Sequence, residues 1–112
     1  MRGPAGDRAA LEDMLAYARE ARSHAPERRA LDDDTTCHAV LYELAIVGES
    51  ANRVSRQLQQ QHPEVPWPRV ISQRNILVHV YDQVDLDLVW DAVEQLSDLE
   101  SKVLTIIQEL PA

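Results

Sequence analysis

The stretch RNILVHVY, residues 74–81, places a permanent cation, an amide, an imidazole and a phenol within eight positions. The remaining residues of the stretch are branched aliphatics. Buried polar groups are costly unless they find hydrogen-bond partners. The four polar side chains therefore either satisfy one another inside a core or face a functional site, and their density favours a site.

If this stretch is an α-helix, its polar residues form two adjoining ridges. Each residue advances about 100° around the axis, so Arg74 and Tyr81, seven positions apart, share one face. Asn75 and His79, four apart, share a second face beside it. Arg74 and His79 are five apart and do not stack directly. Either the long arginine side chain reaches round the helix or a second copy of the helix completes the site, and spacing leaves both possibilities open.

The composition indicates one acidic domain with a basic segment around the motif. A chain of 112 residues can build a single domain, residues 1–112, with one core. Its formal net charge of −8 should repel nucleic acid overall. Between residues 53 and 79, however, four arginines stand against one acid, Glu64. The motif thus lies in a locally basic part of the sequence.

The compartment and the absence of cofactors are also expectations from composition. The single Cys37 excludes an intrachain disulfide and most cysteine-based metal sites. No apolar run is long enough to span a bilayer, and residues 1–6 lack the apolar core of a signal peptide. We therefore expect a cytoplasmic protein with no membrane partner, no metal and no cofactor.

The first helix is predicted to run from Asp7, as its N-cap, to about Ser23. Residues 1–6 should be frayed or disordered. Residues 24–34 are interpreted as a loop. Within them the run Asp32–Asp34 is interpreted as a solvated turn that favours the next helix N-terminus, in preference to a metal site.

The second helix is predicted from about Thr36 to Gln61, with Asp34 or Thr35 as its N-cap. Apolar residues at steps of three and four are typical of a bundle seam. Here that seam comprises Val40, Leu44, Val47, Ala51, Val54 and Leu58. A polar ridge that includes Asn52 and Arg53 is most simply a solvated face. The alternative is that Asn52 or Arg53 borders the functional site.

The remaining helices follow a break at the prolines of residues 62–68. A short third helix, about Pro68 to Val80, should carry the motif, since proline suits the first helical position. Asp85 should cap a fourth helix that ends before Pro111. We therefore predict an all-α fold, an antiparallel four-helix bundle with a short motif-bearing third helix.

The motif resembles that of a known family. Arg74, His79 and Tyr81 match the Arg-x4-His-x-Tyr motif of HEPN-domain ribonuclease toxins, and the chain is most similar to their HepT-like subgroup. Three further segments resemble that subgroup in order and spacing: AIVGESA at 45–51, HPEVPW at 62–67 and VDLDLVW at 84–90. Val80 stands where a glycine is usual in the family, and Asp82 stands where an aromatic residue is common.

This resemblance implies a HEPN-like fold and a metal-independent endoribonuclease acting as a homodimer in a toxin–antitoxin system. Arg74 and His79 would be catalytic on the RNA substrate, with Asn75 and Tyr81 in support. In the family the motif helices meet across the dimer. The antitoxin, a minimal nucleotidyltransferase, silences the nuclease by adding AMP to the motif tyrosine, which here is Tyr81.

A second function class remains open at this point. The chain can also be interpreted as a catalytically weak helical module that binds and regulates a nucleotidyltransferase. Its overall acidity favours this interpretation, whereas the intact pair of Arg74 and His79 favours the enzyme.

Overall fold

The computed structural model describes residues 4–79 and 84–111, and the side chains of 6–76 and 84–111. Within that part of the chain every regular element is helical, which confirms the all-α helical bundle. The α-helices are α1 (Pro4–His24), α2 (Asp34–Arg53), α3 (Arg56–Gln61), α4 (Trp67–Ser72), α5 (Leu86–Glu94) and α6 (Leu96–Glu109). Two 3₁₀ helices cover Arg28–Asp32 and Gln73–His79, and we call the second the motif helix.

Helix α2 is the central element of the bundle. It packs against α1, α4, the motif helix and α5, while α1 also packs on α6. All six residues of the seam predicted for the second helix are buried: Val40, Leu44, Val47, Ala51, Val54 and Leu58. Burying a side chain such as leucine or valine contributes about 1.5–3 kcal/mol, so this seam is a main source of stability. Among the described residues, no helix combines the length and apolarity needed to cross a membrane.

The prediction of one continuous second helix is wrong, because the chain turns a corner after Arg53. Val54 is extended, and the Ser55 side chain caps α3 by accepting a hydrogen bond from the backbone N–H of Leu58 at 3.2 Å. The carboxylate of Asp7 fixes this corner. Its two oxygens accept hydrogen bonds from the backbone N–H and the hydroxyl of Ser55, each at 2.7 Å.

The predicted N-caps of the first two helices are also wrong. Helix α1 begins at Pro4, so Asp7 lies in its first turn. Its carboxylate accepts a hydrogen bond from Ser55 instead of capping the helix. Residues 4–6, expected to be frayed, are part of this helix. Helix α2 is capped by Asp33, whose Oδ2 accepts from the backbone N–H of Thr36 at 2.9 Å and from its hydroxyl at 2.8 Å. These hydrogen bonds from Thr36 hold the pKa of Asp33 below its ordinary value.

The predicted fourth helix is divided at Gln95 into α5 and α6. Its predicted cap is confirmed, because Oδ1 of Asp85 accepts hydrogen bonds from the backbone N–H groups of Asp87 and Leu88 at 3.0 and 3.3 Å. The division lets α5 pack against α2 and the first 3₁₀ helix while α6 packs against α1.

Two buried carboxylates hold α1 in place. Glu43 on α2 lies 2.9 Å from Nδ1 of His24, and this hydrogen bond raises the pKa of the His24 ring. Burial in turn raises the pKa of Glu43. On the other side, the Nε of Arg22 lies 2.6 Å from Glu100 on α6. Both pairs therefore place a basic side chain of α1 against an acid of a neighbouring helix.

Gly48 allows α2 to contact the backbone of α4 and of the motif helix directly. We call these two elements together the motif region. A Cβ atom at this position would lie 2.5 Å from the backbone nitrogen of Arg74 and 2.8 Å from the carbonyl oxygen of Val70. Both atoms belong to the backbone, so they cannot move aside as a flexible side chain could. The junction of α4 and the motif helix is thus held at a distance from α2 that only glycine permits.

We expect Gly48→Ala to lower the free energy of unfolding by about 1–2 kcal/mol, because overpacking against two backbone atoms should cost about 2–3 kcal/mol, the upper part of the usual range. Alanine's higher helix propensity offsets this by about 1 kcal/mol at most. Urea denaturation of the purified variants measures the change. The matched control is Gly6→Ala, since Gly6 is exposed in α1 and should keep or gain stability. Equal stability of Gly48→Ala and wild type would contradict the proposed constraint.

Candidate functional site

The motif region is anchored to the core at its N-terminal end, in α4. Helix α4 begins at Trp67, so Pro68 lies in its first turn but at the second position, one residue later than predicted. Trp67 and Val70 are buried in the core. The indole N–H of Trp67 also donates to the carbonyl oxygen of His62 at 2.9 Å. The start of the segment is therefore rigid, and the motif follows one turn later.

The motif residues lie on a 3₁₀ helix, so the prediction of an α-helix from Pro68 to Val80 is wrong beyond Ser72. The backbone N–H of Gln73 bonds to the carbonyl of Val70, three residues earlier, at the point of contact with Gly48. A 3₁₀ helix has three residues per turn. The α-helical argument that placed residues four apart on one face therefore does not hold for residues 73–79.

Arg74 and Asn75 are both exposed at the start of the motif helix. The backbone of Arg74 packs against Gly48, so the exposed guanidinium is attached to a backbone position that is fixed. An arginine cannot lose its proton near neutral pH and offers a planar fork for phosphate oxygens. This arrangement suits an anionic ligand.

The other two motif residues are only partly covered by the structure. The backbone of His79 ends the motif helix, and its side chain lies outside the described part. Tyr81 lies outside the described residues altogether, as do Val80 and Asp82. Their assigned roles stay predictions.

The two residues predicted to border the site on α2 are placed differently. Arg53 donates hydrogen bonds to Asp13 on α1 at 2.9 Å and to Ser50 at 3.0 Å, so its guanidinium is held on the α1 side of α2. Asn52 is half-buried. It follows Gly48 by four residues and therefore lies on the same ridge of α2. Of the two residues, Asn52 is the one on the ridge of α2 that contacts the backbone of Arg74 through Gly48.

A cleft of about 400 Å³ lies between the motif region and α5. One wall is formed by Arg69, Ser72, Gln73, Asn75 and Ile76. The other is formed by Leu88, Asp91, Ala92 and Gln95. Of the site residues predicted from the sequence, Asn75 is the one in this wall, which connects the cleft to the motif.

Most residues of the cleft were missed by sequence reasoning. Gln73, Asp91 and Gln95 carry no motif and resemble ordinary surface positions. One signal was present at Leu88, an apolar residue of the predicted fourth helix. The structure leaves 65% of its surface exposed.

The described residues contain no group of three or more His, Cys, Asp or Glu side chains placed to hold a metal ion. Within the run Asp32–Asp34, Asp33 acts as the helix cap described above. Asp34 lies in the first turn of α2, and Asp32 ends the first 3₁₀ helix.

Comparisons with known proteins give a consistent result. A sequence model of the protein family described as "Ribonuclease HepT-like" matches residues 11–106. The chain is 34% identical over 73 residues to "Probable ribonuclease HepT" of Thermococcus cleftensis, covering 64% of this chain and 66% of that protein. It is 27% identical over 78 residues to "Putative RNase TTE0752" of Caldanaerobacter subterraneus subsp. tengcongensis, covering 69% and 70%.

A further similarity is to "Putative RNase MJ1380" of Methanocaldococcus jannaschii, 34% identical over 58 residues, covering 52% of this chain and 53% of that protein. The matched region thus falls just short of two thirds of the Thermococcus protein and spans about half of the Methanocaldococcus protein. No solved structure was found to match the chain.

Proposed function

Because the chain belongs to the HepT-like ribonuclease family, we propose that it is an endoribonuclease that cuts RNA with Arg74 and His79. The observation that carries this proposal is the exposed Arg74, whose backbone is fixed against Gly48, beside a cleft whose wall includes Asn75. A fixed cation next to a cleft is a suitable receptor for the backbone of a nucleic acid.

The proposed chemistry uses the nucleophile that RNA itself carries. The 2′-oxygen attacks the adjacent phosphorus while its proton passes to a base. The bond from phosphorus to the 5′-oxygen then breaks, and that oxygen takes a proton from an acid. The products are a 2′,3′-cyclic phosphate and a free 5′-hydroxyl. Imidazole titrates near neutrality, so His79 can act as either base or acid.

Arg74 stabilises the phosphorane, whose extra negative charge develops during attack. Its fork donates two parallel hydrogen bonds to the non-bridging oxygens. Asn75 orients the phosphate or the imidazole with its amide. None of these steps requires a metal ion, so cleavage is expected to continue in EDTA.

Two copies of the chain complete the site in this proposal. In an in-line displacement the attacking 2′-oxygen and the leaving 5′-oxygen lie on opposite sides of the phosphorus, and two motif helices facing each other supply one histidine for each side. The protein then acts as a toxin in the cytoplasm. A minimal nucleotidyltransferase antitoxin silences it by adding AMP to Tyr81. Of the two residues expected to border the site, Asn52 suits that role better than Arg53, whose guanidinium is held by Asp13.

We expect His79→Ala and Arg74→Ala each to reduce cleavage of total RNA by at least about 100-fold, the scale of one acid–base group. Arg74→Lys should also be poor, because lysine lacks the fork. Activity in EDTA should match that without it. The matched controls are His38→Ala and Arg29→Ala, which replace exposed residues of the same types. Equal cleavage by wild type and His79→Ala would instead support the weak binding module that regulates a nucleotidyltransferase.

The dimer gives a second prediction. Light scattering of the purified protein at micromolar concentration should report a mass near twice 12.7 kDa. A monomer under these conditions would count against a site shared between two copies.

A third prediction concerns Tyr81. When the antitoxin is co-expressed, intact-mass spectrometry should detect additions of whole AMP units that disappear in Tyr81→Phe. The added phosphate would compete with RNA for Arg74. Tyr81→Phe keeps the ring, so it should remain a nuclease and escape silencing. Full silencing of Tyr81→Phe with no added mass on wild type would mean inhibition by binding alone.

A further inference from the structure

The cleft beside the motif helix carries a feature that the proposed chemistry does not use. Three residues with amide side chains line it, namely Gln73, Asn75 and Gln95. We infer that this cleft binds one unpaired nucleobase next to the scissile phosphate, and that Gln73 and Gln95 set the base preference of cleavage. This inference rests on the proposed ribonuclease function and names the part of RNA that the site recognises.

The size and the apolar surface of the cleft suit a flat base. Its volume of about 400 Å³ falls in the range of small-molecule sites, about 300–1,000 Å³. Ile76 and Ala92 offer apolar surface on its two walls, and the exposed Leu88 adds to it. Single-stranded RNA is commonly recognised by bases that are splayed out and packed against protein side chains in this way.

The amides supply the means to read a base edge. Each amide carries both a donor and an acceptor, and paired donor–acceptor contacts distinguish one base from another. Oε1 of Gln73 is buried and has no hydrogen-bond partner among the described residues. A buried acceptor without a partner is destabilising. Rotation of the terminal amide, whose torsion is soft, can present it to a donor on a base.

The two charged residues of the cleft wall, Arg69 and Asp91, balance each other, which suits an uncharged base better than a phosphate. Asp91 lies in the wall and repels an anion, while its oxygens can accept from an exocyclic amino group. Arg69 lies in the opposite wall, and Arg74 stands next in sequence to Asn75. Adjacent Cα atoms are about 3.8 Å apart. A phosphate held by Arg74 and a base held in the cleft can therefore belong to the same nucleotide or to neighbours.

Mapping the cut sites in a randomised single-stranded RNA tests this assignment. Wild type should prefer one base at one position beside the cut by about tenfold, the discrimination of one edge contact. Gln95→Leu and Gln73→Leu should each reduce that preference to less than about threefold. Gln60→Leu is the matched control, because Gln60 is exposed on α3 and lies outside the cleft wall.

The Gln73→Leu variant carries its own check on folding. Replacing an unpartnered acceptor by an apolar group of similar shape should keep or raise the melting temperature. A lost preference together with an unchanged or raised melting temperature would support base reading. Retention of the full preference in both cleft variants would overturn it, as would a shift from dimer to monomer with preference unchanged, which would mark the cleft as a contact between copies.

A cleavage-independent measurement separates this inference from the proposed activity. Fluorescence anisotropy with 2′-O-methyl oligonucleotides of a single base reports binding without a nucleophilic 2′-OH. Wild type should bind one of these oligomers about tenfold more tightly than the others, and Gln95→Leu should not. If wild type cuts no RNA yet shows this preference, the nuclease proposal fails and the cleft assignment stands. If it cuts RNA but binds all the oligomers equally, the cleft assignment fails alone.

Discussion

The contact between Gly48 and the backbone at Val70 and Arg74 is the constraint on which the rest of the site depends. Helix α2 is buried along its seam and touches most other elements, so it cannot shift to accommodate its neighbours. The backbone of the motif region therefore has to pack directly against α2, and this close contact is possible only because glycine has no side chain. That close approach fixes the backbone position from which the Arg74 side chain extends. It also positions the wall of the cleft that contains Gln73.

Although the protein is acidic overall, the distribution of its charges allows it to bind a polyanionic ligand. The net charge is −8, yet exposed charges separated by more than about 10 Å are largely screened at 0.1 M salt. The attraction that matters is therefore local to Arg69 and Arg74. Within the cleft, Asp91 balances the charge of Arg69. This balance favours an uncharged base over a phosphate in that space.

The sequence was sufficient for the architecture but not for the details of the site. Apolar spacing identified the α2 seam, and Asp85 was recognised as a cap, because both are properties of local sequence. The corner at Ser55 could not be predicted, since its cause is Asp7, 48 residues away. The 3₁₀ geometry of the motif helix was missed for a similar reason: it occurs where the backbone meets Gly48. The cleft joins residues of α4, the motif helix and α5, and only the tertiary structure brings Gln73 and Gln95 together.

The link between Asp7 and Ser55 has a consequence for the order of folding. The hydrogen bonds at this corner close a loop of 48 residues, and such non-local contacts form only after the entropy of loop closure has been met. Helix α1 must therefore dock on α2 before the corner is fixed. Helix α3 has only six residues, too few for an isolated helix to be stable in water. It should thus become ordered late, so Asp7 on α1 directs one of the last steps of folding.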